Sequence, residues 1–191
     1  WEDVPNNPFF APNAAIVPAD QDFGTCLEII KQQATTSLRY MVRTPLQPGS
    51  YLRISARVKA VAGNLPRVRI AAWAGNAAGG NVGGVAQTGP QVMLSGHGQV
   101  AEVSAIVGSG SREGVDMAWG RNAVFGHFGL DLLGDNNGAI RIENMVIEDV
   151  TAAFIPQMLD WVDVRDFGAV GDGVTDDRAA FQAADQAANG G

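Results

Sequence analysis

Cysteine is nearly absent: Cys26 stands alone, so no disulfide can form within the chain. With only two histidines beside that thiol, the residues for a zinc site are lacking. No apolar run approaches the roughly 18 residues that a membrane-crossing helix needs, so membrane insertion is not expected. No glycine-rich phosphate loop follows a strand and opens a helix, and a net charge of −7 gives no electrostatic reason to expect a nucleic-acid partner. No Ser/His/Asp set stands out as a nucleophilic triad. Charged residues are scarce, at 17%. The chain opens on Trp1 without the pattern of a secretion signal, and we expect it to be part of a longer protein.

Acidic residues are missing from one long interval. Between Ile29 and Ala101 there is no Asp or Glu, while Lys31, Arg39, Arg43, Arg53, Arg57, Lys59, Arg67 and Arg69 all fall there. Such asymmetry is expected of a partner surface. The alternative is that acids from elsewhere in the fold pair with these side chains.

What is abundant is glycine, at 24 residues, together with 46% apolar residues. Many short strands joined by glycine turns fit that mixture, and the apolar content is enough for a core without cross-links. Residues 1–25, with Asn7-Pro8-Phe9-Phe10 as an aromatic anchor, read as irregular. Strands are predicted at 27–31, 37–43, 51–60, 67–73, 99–107, 115–119, 125–133 and 139–150. Alternation is cleanest in 51–60, with Leu52, Ile54, Ala56, Val58 and Ala60 on one face and Arg53, Ser55, Arg57 and Lys59 on the other. In 37–43 the faces are Leu38, Tyr40, Val42 and Arg39, Met41, Arg43; in 67–73, Val68, Ile70, Ala72 and Arg67, Arg69, Trp73. Gly75–Gly98 is too long for a hairpin turn. About eight strands with turn signals every ten or so residues predict an all-β sandwich over 1–151.

Composition changes after Thr151. Residues 152–161, with Ile155-Pro156, read as a linker. In 162–191 a strand at Val162-Asp163-Val164 is expected, then a glycine- and aspartate-rich turn. A helix over 176–188 follows, with Thr175 as its N-cap and Asp176 and Asp177 in its first turn. Phe181, Ala184 and Ala188 would form its apolar stripe, and Asn189-Gly190 its stop.

The run from Asp166 to Asp177, Asp-Phe-Gly-Ala-Val-Gly-Asp-Gly-Val-Thr-Asp-Asp, followed by an alanine-rich helix and Gly190-Gly191, resembles the entry segment of the pectate-lyase-like parallel β-helix superfamily. That group includes polygalacturonase-type hydrolases, pectate lyases and phage tailspikes. The resemblance covers about thirty residues. It implies that Asp166, Gly168, Gly171, Asp172, Gly173, Thr175, Asp176 and Asp177 are a structural cap at the head of a truncated β-helix. Catalytic acids of that superfamily sit further along, so the resemblance implies no catalytic residue here. Read as chemistry, Asp172, Asp176 and Asp177 form turns and cap a helix in preference to holding a metal.

Residues 7–151 are similar to a carbohydrate-binding jelly roll of the galactose-binding-like type. The similarity rests on Asn7-Pro8-Phe9-Phe10, Gly24-x-x-Leu27-Glu28-Ile29, Pro48-Gly49-Ser50-Tyr51 and the closing 140–149 run. It implies a polysaccharide partner and, as family members often hold a structural calcium, Glu28 and Asp149 as candidate oxygens. Together the two resemblances imply a non-catalytic polysaccharide-binding or particle-attachment module of a tailspike-like protein. Such a protein would be extracellular or on a phage-like particle, trimeric in full length, with capsular or cell-surface glycan and particle proteins as partners. Two alternatives stand beside this: a targeting domain of an active polysaccharide lyase or glycoside hydrolase, and a trimerisation collar.

Sugar recognition needs an aromatic platform and planar polar groups. Strand parity makes Trp73 the platform candidate beside Arg67 and Arg69, unless it packs beneath the 75–98 loop. Trp119, Phe125 and His127 are a second candidate cluster, unless Trp119 is core. The short turn at Gly63–Pro66 would bring Arg53, Arg57, Lys59, Arg67 and Arg69 onto one sheet face, where an acidic glycan could neutralise them.

Overall fold

A computed structural model describes residues 2–3, 13–143, 145–159 and 162–188. Asn7–Phe10 and Asn189–Gly191 lie outside the described residues. The chain divides into two compact units, 1–150 and 151–191.

The first unit is a two-sheet β-sandwich. Its strands are β1 (Glu2–Asp3), β2 (Ala14–Asp20), β3 (Gly24–Ile30), β4 (Thr35–Arg39), β5 (Thr44–Pro45), β6 (Tyr51–Ala62) and β7 (Arg67–Gly75). They continue with β8 (Thr88–Met93), β9 (Ala101–Gly108), β10 (Met117–Ala118), β11 (Phe125–Leu133), β12 (Ala139–Ile142) and β13 (Val146–Asp149). One sheet runs β1-β4-β11-β7-β8, with β5 beside β11; the other runs β10-β9-β6-β12-β3-β2, with β13 beside β6. Period-two alternation sends Leu38, Val68, Ile70, Phe128, Leu130 and Leu132 from the first sheet against Ile54, Val58, Val103, Val107, Ile140 and Ile142 from the second, all at most 1% exposed. Each such side chain contributes about 1.5–3 kcal/mol by leaving water.

The expected strand 139–150 is split. β12 pairs with Val58–Ala62 and β13 with Leu52–Ser55 of the same strand β6. Four strands lie outside the predicted ranges: the two-residue β1 and β5, and the longer β2 and β8. β2 lies in the segment read as irregular; Pro18 suits an edge strand, which needs no inward N–H. β8 lies inside the long glycine loop, also at an edge and also carrying a proline, Pro90. Residues 40–43, expected to extend β4, leave the ladder.

One expectation is overturned by topology. β6 and β7 belong to different sheets, so the Gly63–Pro66 link crosses the sandwich and does not close a hairpin. The reason lies in the alternation itself: both strands bury an apolar face in one core, which a crossing satisfies by stacking them face to face. Arg53, Arg57 and Lys59 therefore sit on the outside of one sheet, Arg67 and Arg69 on the outside of the other. Gly63 is held at φ 72 with Asn137 O so near that a Cβ would lie 1.8 Å from it, so only glycine fits.

The second unit corrects the linker and the strand. Thr151–Leu159 is a helix, α1, that continues through Pro156 and buries Phe154. Val162-Asp163-Val164 forms no strand; Val164–Phe167 is a 3-10 turn, capped by the Asp163 carboxylate accepting from the Arg165 N–H at 2.9 Å and closed by Gly168 at φ 94. The last helix, α2, spans Arg178–Ala187 and buries Ala180 and Ala184, while Phe181 is 56% exposed.

Candidate functional site

The outer face of the β4-β11-β7 sheet is built in rows across three strands. β11 and β7 pair His127 with Trp73, Gly129 with Ala71 and Asp131 with Arg69; β4 adds Arg39 beside Gly129 and Ser37 beside Asp131. The middle row is thus a trough at Ala71 and Gly129 with the Arg39 side chain at its end. A Cβ on Gly129 would lie 1.9 Å from Leu38 O, so the strands approach there as only glycine allows. The Arg39 guanidinium donates to Leu38 O at 2.8 Å, Leu130 O at 3.1 Å and Asp131 Oδ1 at 3.0 Å.

Asp131 gathers the polar groups of this face. Its carboxylate accepts from Ser37 Oγ at 2.8 Å, from Arg39, and from Arg69 Nε and Nη2 at 3.1 and 3.0 Å. Arg69 is thereby tied to an acid on the next strand, one that no sequence interval reveals.

Above the trough, Trp73 and His127 stand side by side with ring centroids 5.4 Å apart, and Phe125 packs 5.9 Å from Trp73. Arg39, Met41, Trp73 and His127 line a cavity of about 260 Å³. The His127 Nδ1 is out of solvent with no hydrogen-bond partner. An indole, an imidazole and a guanidinium around one hollow supply a stacking surface and planar polar groups together. Arg43 lies over the Phe125 ring at 4.6 Å.

The other candidates lie elsewhere. Trp119 is 1% exposed, stacked on Phe128 at 5.4 Å, and its Nε1 donates to Ala86 O at 2.7 Å; it belongs to the core and cannot meet a ligand. His127 therefore clusters with Trp73 and Phe125, without Trp119. Arg53 and Arg57 are exposed on the opposite sheet, and Arg57 pairs with Glu143 at 2.8 Å. Lys59, on the same face, is 5% exposed and held by Asp20 and Asp22, each at 2.7 Å. Arg67 is exposed at the far end of β7 from Trp73.

Glu28 and Asp149 do not meet. Glu28 is level with Lys59 through Arg141, and Asp149 pairs with Leu52. Seven residues along β6 are roughly 23 Å, so the pair cannot share an ion. The Glu28 carboxylate accepts from Arg141 Nε at 2.8 Å instead. Asp20 is held below the usual carboxylate range by Lys59 first and Arg141 second.

In the second unit the aspartates are bound into the turn. Asp172 accepts from the N–H groups of Val174 and Thr175 and from the Thr175 hydroxyl. Thr175 is therefore a donor to Asp172, not the cap of α2. Asp177 accepts from Val170 and Gly171 N–H, both at 2.8 Å, and Asp176 from Arg178 N–H at 3.1 Å. Gly168, Gly171 and Gly173 all have positive φ. Asp166 lies in the 3-10 turn.

Sequence reasoning placed Arg39, Met41 and Arg43 on one face without assigning them to a site. What was missing was the pairing of β4 with β11, which brings that face to Trp73. Asp131 had no signal beyond being a lone acid in an apolar strand.

No family model matches the sequence, and no curated relative matches it. Among solved structures, the fold is similar to the CBM22-1 xylan-binding domain of Xyn10C from Paenibacillus barcinonensis, with TM-score 0.50 and 13% identity over 72% of this chain and 80% of that one. TmCBM61 in complex with β-1,4-galactotriose aligns at TM-score 0.46 and 8% identity, over 73% of this chain and 83% of that one. The enzymatically active domain of tailspike protein 4 from bacteriophage CBA120 aligns at TM-score 0.45 and 12% identity, over 72% of this chain but 18% of that one. At such identities the likeness is one of fold, and the first of the three carries it: a β-sandwich of the carbohydrate-binding-module kind.

Proposed function

We propose that the chain is a non-catalytic polysaccharide-binding module, and that its ligand lies on the outer face of the β4-β11-β7 sheet. The observation that carries this is the hollow lined by Trp73, His127, Arg39 and Met41. A pyranose offers an apolar C–H face for the indole and hydroxyls for the polar groups. The fold of a xylan-binding domain supports the same reading.

The Asp166–Asp177 motif supports the further reading that a parallel β-helix follows this module in the full protein. That protein would be tailspike-like, trimeric, and extracellular or particle-borne, with a cell-surface or capsular glycan as partner. In this reading the whole protein is a polysaccharide lyase or glycoside hydrolase only if the missing coils carry the acids.

The test is a glycan-binding measurement on the intact chain and on Trp73→Ala. We expect retention on one class of polysaccharide and an affinity loss of about tenfold or more in the variant, equivalent to about 1.4 kcal/mol. Since Trp73 is half-buried on an outer face, unfolding of the variant should remain cooperative. The same polysaccharide incubated with the chain should release neither reducing ends nor unsaturated uronates. Binding that survives Trp73→Ala unchanged would move the site elsewhere.

A further inference from the structure

The described acids of the Trp73 sheet are confined to Asp131 and to one edge. Among the described strands β4, β5, β7, β8 and β11, Asp131 is the single carboxylate, and it is already engaged by Ser37, Arg39 and Arg69. Two guanidinium groups on one carboxylate leave one positive charge in that row, which the acids of the edge strand offset. β1 brings Glu2 and Asp3 to the edge beyond β4, with Glu2 in register with Arg39.

Cations without a carboxylate partner among the described residues lie toward the Phe125 end of the sheet. From Trp73 and His127, β7 and β11 lead to Gly75 and Phe125, where Arg43 lies on the ring and reaches the 76–80 loop: a Cβ on Gly79 would be 3.1 Å from its Nη2. Beyond that is a second hollow of about 500 Å³, lined by residues of the 76–82 and 121–124 segments, Asn76, Asn81, Arg121 and Asn122 among them. Neither Arg43 nor Arg121 forms an ion pair with a carboxylate among the described residues. Trp73 and Asn76 are three residues apart, roughly 10 Å along an extended chain. The two hollows are thus successive stations on one path, the first aromatic, the second carrying three amides and a guanidinium on a floor of alanine and valine.

Resting on the polysaccharide-binding reading, we infer that the ligand is an acidic glycan, a chain of uronate-bearing sugars. One sugar sits on Trp73 and His127, and the chain runs over Arg43 to Arg121, whose guanidinium groups meet its carboxylates. A neutral chain would leave these groups no better off than in water. A carboxylate gives a guanidinium a two-pronged, charge-assisted partner. The amides at the second station suit hydroxyls on either side of that contact. A ligand spanning both stations is bound along its length, so affinity must grow with the number of sugars until both are filled.

The experiment measures the affinity of the intact chain for size series of acidic oligosaccharides (galacturonate, alginate and hyaluronan fragments) and of neutral xylo-oligosaccharides, at 0.1 M and 1 M salt. An acidic series should bind more tightly as it lengthens and weaken as the Debye length falls from about 10 Å to about 3 Å. Arg121→Gln, at an exposed loop position, should lower affinity for the longest acidic oligomer about fivefold, flatten its salt dependence, and leave the shortest unaffected. Arg43→Gln should weaken every acidic oligomer. Neutral oligomers binding as tightly as acidic ones, with no salt dependence, would overturn the acidic class and leave the polysaccharide-binding reading standing. Length-independent affinity with an inert Arg121→Gln would remove the second station. Failure of both series to bind would sink the inference together with the reading beneath it.

Discussion

At the scale of single residues, Asp131 ties together the outer face of the β4-β11-β7 sheet. It is 3% exposed and receives hydrogen bonds from three side chains on two neighbouring strands. An unpaired charge at such a place is expensive, because the interior offers Arg39 no water in exchange. Asp131→Ala should therefore cost about 3 kcal/mol in urea denaturation and release Arg69 to solvent. A loss below 1 kcal/mol would show that the two guanidinium groups find other partners. Lys31 shows the same logic in a different setting. It is fully buried, yet its ammonium donates to the Gln33 and Gly134 carbonyls and to Asn136 Oδ1, and burial lowers its pKa. In the sequence both Lys31 and Lys59 count as members of a basic stretch. Only the fold shows them to be internal cations, satisfied for the most part by oxygens from turns and strands distant in the chain.

At the scale of elements, the 163–177 turn depends on ionised carboxylates. Asp163 is lowered to about 2, first by the Arg165 side chain, and Asp172 and Asp177 are lowered chiefly by the backbone N–H groups they accept from. The sign follows from linkage: an acid whose pKa is depressed by folding stabilises the fold above its unfolded value, near 4, and that stabilisation is lost as pH falls toward the folded value. Amide resonances of Val170, Gly171, Val174 and Thr175 should move together between about pH 4 and pH 2, while core amides of β6 and β11 stay in place. If those four amides hold their shifts down to pH 2, the carboxylates are not what keeps the turn closed. Legibility at this scale followed periodicity. β6, β7 and β11 alternate cleanly and were read from the sequence to within a few residues. β2 and β8 carry prolines and sit at edges, so their patterns are weak and they were missed. The helix α1 was hidden by Ile155-Pro156, because a proline argues for a break even where a helix runs through it. The aromatic half of the candidate site was legible, since parity alone turned Trp73 outward. Its partners were not, because which strands stand beside β7 depends on pairing, which no local pattern specifies.

At the scale of the whole molecule, the division after Val150 predicts that residues 1–150 fold by themselves. The apolar core of the sandwich is drawn from strands that all precede that boundary. A chain ending at Val150 should unfold in one cooperative step with its midpoint within a few degrees of the full chain; a broad, non-cooperative transition would assign 151–191 to the same folding unit. The crossing between β6 and β7 has a further, mechanical consequence. In the proposed binding mode a glycan held on β7 and β11 would pull on one sheet, while the chain leaves the sandwich from β13, which is paired to β6 in the other. Tension between an anchored polymer and the rest of the protein is therefore borne across the apolar seam between the sheets, with the Gly63–Pro66 segment as a short covalent tie. The exit strand itself is four residues long and paired to β6 alone, so a pull on the chain beyond Val150 loads that short ladder before it reaches the seam.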